Sequence, residues 1–418
     1  MNIGYACISV GVRNTELRSC IQKNATETKL MELIEHNLKS LDTMIHYNIN
    51  NKIKLFRISS DLIPFGSSPV NKLPWWEIYE QQLKQIGEKI KQSGMRVSMH
   101  PGQYTVLNSP DDKVVARAME DLNYHTKVLD SLGVGPSHKI VLHIGGIYND
   151  KPMAMQRFIT NYSMLSEEVK KRLVLENDDK MYNIKDVLKI SSYTKAPVIF
   201  DNLHNKINPP SDNKDEVLWI EDCKITWKEK DGQQKIHYSR QNPKKQPGSH
   251  SETIVLHEFM EFIEKLSRND IDIMLEVKDK NLSAVKCINA TSKNKNIIDL
   301  EIEWSKYKYS ILEKSHSDYS EIRKILKDKK TYPVLPFYQI IEGALEKETT
   351  IGEAINAAQH VWGYFKEIAS EKEKSDFLKL VESYKEGGVT LKKVKSFLQK
   401  MTLKYQEEYL LNSYYFDL

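Results

Sequence analysis

A chain of 418 residues is longer than one average domain and holds an eightfold β/α barrel with about 100 residues to spare. Its 40% apolar content suffices for a core, and a net charge of +4 permits a polyanionic partner without demanding one. The cysteines Cys7, Cys20, Cys223 and Cys287 show no CxxC spacing, which argues for reduced thiols and against a thiolate zinc module, and no apolar run reaches transmembrane length. A soluble, intracellular protein without a membrane partner is expected.

In chain order, residues 2–8 read as a first strand rather than a signal peptide. Capping residues at 24–27 predict a helix to about His46, with Leu30, Leu33, Ile34 and Leu41 on one face. Strand two, at 54–60, runs into a polar loop carrying Pro64 and Phe65. Pro74, Trp75 and Trp76 open a helix faced by Ile78, Leu83, Ile86 and Ile90, which Gly94 stops. Strand three follows and ends abruptly in His100. Pro101 and Gly102 then turn the chain out, leaving Gln103 and Tyr104 on the loop above. Asp111 and Asp112 begin the next helix, which carries Met119, Leu122, His125 and Leu129.

The alternation continues through strands at 139–143, 172–176, 197–201, 235–239 and 271–276. Eight apolar strands separated by helix-length stretches predict a TIM (β/α)8 barrel. Two longer polar segments, 205–234 and 240–250, lie where loops of the functional face belong. After about Tyr309 only helical periodicity remains. The expected division is a barrel domain over 1–310 and an α-helical C-terminal domain over 318–418, the role of the latter open.

Chemistry-bearing residues recur at strand ends. His36, His46, His125, His257, His316 and His360 fall on helices and read as ordinary structural histidines. His100, His143, His204, His237 and His250 fall at strand ends or in the loops beyond, beside Glu176, Asp201 and Glu276. Any one alone would be structural; together, at one barrel mouth, they point to a metal site. Imidazoles and carboxylates without thiolates suit Zn²⁺ or Mn²⁺, and eight candidates exceed the needs of one ion. A cluster of two or three ions suits phosphodiester hydrolysis. Lys235 is two residues before His237 and so shares its inward face, where the ordinary expectation is an internal salt bridge. Gln103 and Tyr104 could enter a base stack beside flipped nucleotides, and Arg57, Lys278 and Lys280 near the rim would then meet phosphates.

Seven blocks carry a family resemblance: Arg57-Ile-Ser-Ser-Asp-Leu-Ile-Pro64, Met99-His-Pro-Gly-Gln-Tyr-Thr-Val-Leu-Asn-Ser-Pro110, Leu142-His-Ile-Gly-Gly146, Leu175-Glu-Asn-Asp-Asp-Lys180, Phe200-Asp-Asn-Leu-His204, Lys235-Ile-His-Tyr-Ser239 and Met274-Leu-Glu-Val-Lys278. Over roughly residues 1–290 the chain resembles the UV damage endonucleases, DNA repair nucleases on a TIM barrel. The resemblance implies incision immediately 5′ of UV photoproducts in double-stranded DNA, with abasic sites a further substrate. It implies manganese held by His100, His143, Glu176, Asp201, His204, His237, His250 and Glu276, with Lys235 at the position that the family carboxylates. It further implies that Glu176, Glu276, Lys235 and His237 serve catalysis, that Gln103 and Tyr104 probe the duplex, and that Tyr5 lies near the lesion.

Two positions depart from the family pattern. Ser68 stands where a His is common, which leaves two ions or three, and Cys7-Ile8-Ser9 replaces an Asn after the first-strand tyrosine. The sequence therefore reads as a metal-dependent DNA repair endonuclease acting as a monomer. Its alternatives are a sugar isomerase of the xylose isomerase-like barrel group and a lesion-binding protein with impaired catalysis.

Overall fold

The structure, a computed structural model, describes every residue except Asn213. The chain forms two compact units, Met1–Ile254 with Phe262–Ile288, and Val255–Glu261 with Asn289–Leu418.

In the first unit eight strands close into a barrel in sequence order: β1 Ile3–Ala6, β2 Leu55–Ile58, β3 Arg96–Met99, β4 Ile140–His143, β5 Leu173–Glu176, β6 Val198–Asp201, β7 Gln234–Tyr238 and β8 Ile271–Leu275. Every neighbouring pair is parallel, including the closing pair β1 and β8. Only His143 among the strand residues is less than fully buried, as a parallel sheet wrapped by helices requires. The TIM-barrel expectation is met. β1 is shorter than residues 2–8 because Cys7 turns to a positive φ of 73°.

Helix boundaries follow their caps. Helix Glu27–Asn50 starts where the Thr26 side chain accepts the Lys29 N–H at 3.3 Å. The stretch after Pro74 is two helices, Trp75–Ile78 and Glu80–Ser93, interrupted at Tyr79. Gly94 ends the second in the left-handed conformation, φ 67°, which a side chain would resist. Helix Asp112–Ser131 is capped by Asp111, whose Oδ1 accepts from Lys113 N at 2.8 Å.

Inside the barrel, apolar layers form from neighbouring strands: Ala6, Leu55 and Met274 in one, Val141, Val174 and Ile199 in another. Towards the amino-terminal floor the interior is ionic. Arg96 NH1 lies 3.1 Å from Asp272 Oδ2, and Lys139 Nζ donates to Asp231 Oδ1 at 2.5 Å.

The second unit has six longer helices: Ile297–Lys314, His316–Ile325, Val334–Glu346, Ile351–Trp362, Glu371–Lys385 and Leu391–Tyr405. They bury Tyr309, Leu312, Val361, Phe365, Phe377 and Leu398, and the Trp362 and Phe377 rings stack at 4.4 Å. Among the described residues no helix is long and apolar enough to cross a membrane.

Candidate active site

The parallel barrel delivers its strand ends to one mouth, and the candidate ligands lie there. His100 follows β3; His143, Glu176 and Asp201 are the last residues of β4, β5 and β6; His237 lies in β7 and Glu276 just beyond β8. His204 is returned to the mouth by the short helix Asn202–Ile207, whose cap is Asp201: Oδ1 accepts the His204 N–H at 2.7 Å. His250 comes from the loop after β7, held by an antiparallel bridge to Gln241.

Glu176 is the hub. Its Oε2 lies 3.1 Å from His100 Nε2 and 3.5 Å from His143 Nε2, and its Oε1 lies 2.6 Å from His237 Nδ1 and 3.8 Å from His204 Nδ1. Glu276 extends the cluster, with Oε1 3.2 Å from His237 Nδ1 and Oε2 3.7 Å from His250 Nδ1. Three groups have donor atoms mutually within 4.8 Å: His100, His143 and Glu176; Glu176, Asp201 and His204; Glu176, His237 and Glu276. All eight candidates thus come together, and each group shares Glu176.

Burial governs the charges. It opposes ionisation of Glu176, yet His237, His143 and the contact from His100 outweigh it and hold this carboxyl well below the usual range. Asp201 is pushed up to about 7, by burial first and then by the nearby Glu176 and Glu276 carboxylates. Burial lowers His143 to about 4, which keeps its ring neutral, the form that binds metal.

The donor set has openings. His143 Nδ1, Asp201 Oδ2 and Lys235 Nζ are buried and make no hydrogen bond among the described residues. Unpartnered polar atoms in such a place are costly unless something else engages them, and imidazole, carboxylate and amine nitrogen are ligands for borderline divalent ions. The residues therefore fit a divalent metal cluster. Lys235 is fully buried without the salt bridge expected of it. Burial, then the Arg96 and Arg57 charges, drive its ammonium strongly towards the neutral amine.

Two expected substrate contacts are corrected. Arg57 is not at the rim: its guanidinium lies inside, bonded to Glu276 and 3.0 Å from His237 Nε2. It occupies the inward face of β2 with Leu55, one layer below the strand end. Tyr5 faces away from the barrel interior, fully buried, with its hydroxyl 2.6 Å from Ser9 Oγ and donating to Asn48 Oδ1 at 2.9 Å. The inward position next to it on β1 belongs to Ala6.

Gln103 and Tyr104 stand exposed, Tyr104 by 70%, above a fixed base: Thr105 Oγ1 donates to the buried Asp121 at 2.6 Å. Lys278 is exposed, its backbone N–H bonded to Ser251 O at 3.1 Å. Ser68 lines a cleft of about 500 Å³ with Trp75, Trp76 and Lys127, a lining that includes none of the eight candidates.

Sequence reasoning missed Asn177. Its side chain bridges the ends of β5 and β6, accepting Asp201 N–H at 2.9 Å and donating to Asp201 O at 3.1 Å, while its carbonyl lies 2.9 Å from His204 Nδ1. It thereby aims two candidate ligands. The available signal was an amide directly after a strand-end carboxylate.

A closed parallel barrel whose mouth gathers five imidazoles and three carboxylates is a TIM-barrel protein with a site that could hold several metal ions. Residues 1–306 match the family described as UV-endonuclease UvdE, and residues 308–418 match one described as a protein of unknown function, DUF1722. The chain is 38% identical over 401 residues to the UV DNA damage endonuclease of Clostridium perfringens (strain 13 / Type A), spanning 94% of this chain and 96% of that protein. With its counterpart from Bacillus cereus (strain Q1) it shares 34% identity over 275 residues, 65% of this chain and 86% of the other. The crystal structure of SacUVDE matches with a TM-score of 0.66 at 37% identity, over 69% of this chain and 97% of that one. The chain belongs to the UV DNA damage endonuclease family.

Proposed function

We propose that this protein is a metal-dependent DNA repair endonuclease that hydrolyses the phosphodiester immediately 5′ of cyclobutane dimers and 6-4 photoproducts in duplex DNA, with abasic sites a further substrate. The observation that carries it is the Glu176-centred cluster, with ligand atoms left open, beneath an exposed Gln103–Tyr104 loop. Family membership supports the substrate class. The protein would act as a monomer inside the cell, with the DNA.

His100, His143, Glu176, Asp201, His204, His237, His250 and Glu276 would hold two or three ions, Mn²⁺ by the family resemblance, with Zn²⁺ or another divalent ion compatible with the donors. When bound, such ions lower the pKa of water and neutralise charge on the scissile phosphate and the departing 3′-oxygen. The chain prepares the rest. Arg57 holds Glu276 and His237 in place and offsets the buried charge of Glu276. Lys235, unpartnered and driven towards the neutral amine, is placed to take up CO₂ as a carbamate with loss of a proton, which would add a carboxylate to the cluster. Gln103 and Tyr104 would fill the gap left by everted nucleotides, and Lys278 would meet the backbone. Attack of water on phosphorus breaks the P–O3′ bond, leaving a 3′-hydroxyl before the lesion and a phosphate on the lesion side.

The test is Glu176→Gln. The variant should stay folded, lose bound Mn²⁺, and lose at least about a thousandfold in incision of a photoproduct duplex, since it removes a ligand common to all three groups. Turnover like that of the unmodified chain would overturn the assignment.

A further inference from the structure

The loop after β4 holds a residue that the scheme above leaves unused. Tyr148 and Asn149 both take left-handed backbone, φ 49° and 62°. Two such residues in succession are uncommon outside glycine, and a bulky side chain there is disfavoured. The ring is nevertheless supported. Its carbons approach within 3.2 Å of where a Gly146 Cβ would stand, and the Arg157 guanidinium lies 5.5 Å from its centroid. Arg157 is itself tied by Nε to Asn108 O at 2.9 Å.

The same bonds lock this loop to the one bearing Gln103 and Tyr104. Gly146 O accepts from Asn108 Nδ2 at 2.7 Å and from the Tyr182 hydroxyl at 3.0 Å. Gly145, at φ 110°, allows the approach, because a Cβ there would fall 2.4 Å from Asn108 Oδ1. The outcome is an aromatic ring buttressed from behind, 40% exposed, five residues past His143 on the mouth side of the barrel.

We propose that Tyr148 is a second DNA contact, a platform on which a base unpaired by the lesion stacks, opposite in role to the pair that fills the gap. A ring backed by Gly146 and by the Arg157 guanidinium loses less freedom than an unsupported one when a base stacks on it, which favours binding. The proposal rests on the endonuclease reading, so incision of a photoproduct duplex by the full, unmodified chain is the control; its failure would reject that reading.

With that control in hand, Tyr148→Asn removes the ring while keeping a residue that accepts left-handed backbone, and Tyr148→Gly does the same with no side chain. Both should weaken binding to the photoproduct duplex by about tenfold, the worth of one lost stack, and raise KM in proportion with kcat within about twofold. Both should melt at or above the temperature of the unmodified chain, and Tyr148→Phe should bind normally. Undiminished binding by the Asn and Gly variants overturns the proposal. So does equal loss in Tyr148→Phe, which would assign the effect to the hydroxyl, or a lowered melting temperature with equal loss on intact and damaged duplex, which would make the ring structural.

Discussion

The two ends of the barrel interior handle buried charge in opposite ways. At the floor Arg96 and Lys139 each meet an anion and carbonyls. Arg96 reaches Asp272 and the carbonyls of Ser137, Asp231 and Gln233, and Lys139 reaches Asp231 and the carbonyl of Lys171. At the mouth, His143 Nδ1 and Asp201 Oδ2 are left without partners, and Lys235 Nζ, two residues below His237, is left likewise. Most buried polar atoms in a folded chain are paired with protein or water, so several left open beside candidate ligands leave room for a bound group. The floor's two cations are therefore satisfied by the polypeptide itself, and the mouth leaves donor atoms open to an added group.

That contrast breaks first at the floor. Asp272→Ala removes the carboxylate beside Arg96 and leaves a buried guanidinium short of its charge partner, which costs about 3 kcal/mol or more. Urea unfolding should show the loss, while Mn²⁺ bound per folded molecule stays the same. A loss under about 1 kcal/mol would mean that the carbonyls alone satisfy Arg96.

The difference between the ends also explains what could be read in advance. Strand ends are marked by an apolar run that stops at a histidine or carboxylate, so β3 to β8 and the candidate ligands at their ends were legible. Facing was harder. In a parallel barrel both faces of a strand are buried, so no polar alternation marks which side looks inward. The burial of Tyr5 and Arg57 was hidden for that reason: Tyr5 has the outward parity of β1, and Arg57 the inward parity of β2. Asn177 left no periodic trace, because its side chain replaces backbone pairing between two strand ends, and only its place directly after Glu176 marked it.

Lys235→Met sharpens the contrast by reversing the sign of the floor substitution. It replaces an unpartnered amine by an apolar chain of similar length, so stability should hold or rise by about 1 kcal/mol. Incision should nonetheless fall by about tenfold to a hundredfold, the usual cost of losing a group that supports metal ligands. A variant that is both destabilised and fully active would place Lys235 with the structural charges of the floor.

A last effect is a pH dependence carried by one residue of the floor. His138, in the turn before β4, accepts the Val97 N–H at Nδ1, 3.0 Å away, and is held neutral. Burial, then the positive charges of Arg96 and Arg172, lower it to about 3 from an ordinary value of 6.5. Between these values the unfolded chain binds a proton that the folded chain refuses. Stability is therefore undiminished above about pH 6.5 and declines as the pH falls towards 3. Allowing for partial solvent access, the loss between pH 7 and pH 4 is about 2 kcal/mol. In His138→Gln the side-chain oxygen still accepts the Val97 N–H but cannot titrate. Urea unfolding at the two pH values should show that variant losing about 2 kcal/mol less than the unmodified chain. Equal losses in both proteins would show that the ring is free to take up its proton in the fold.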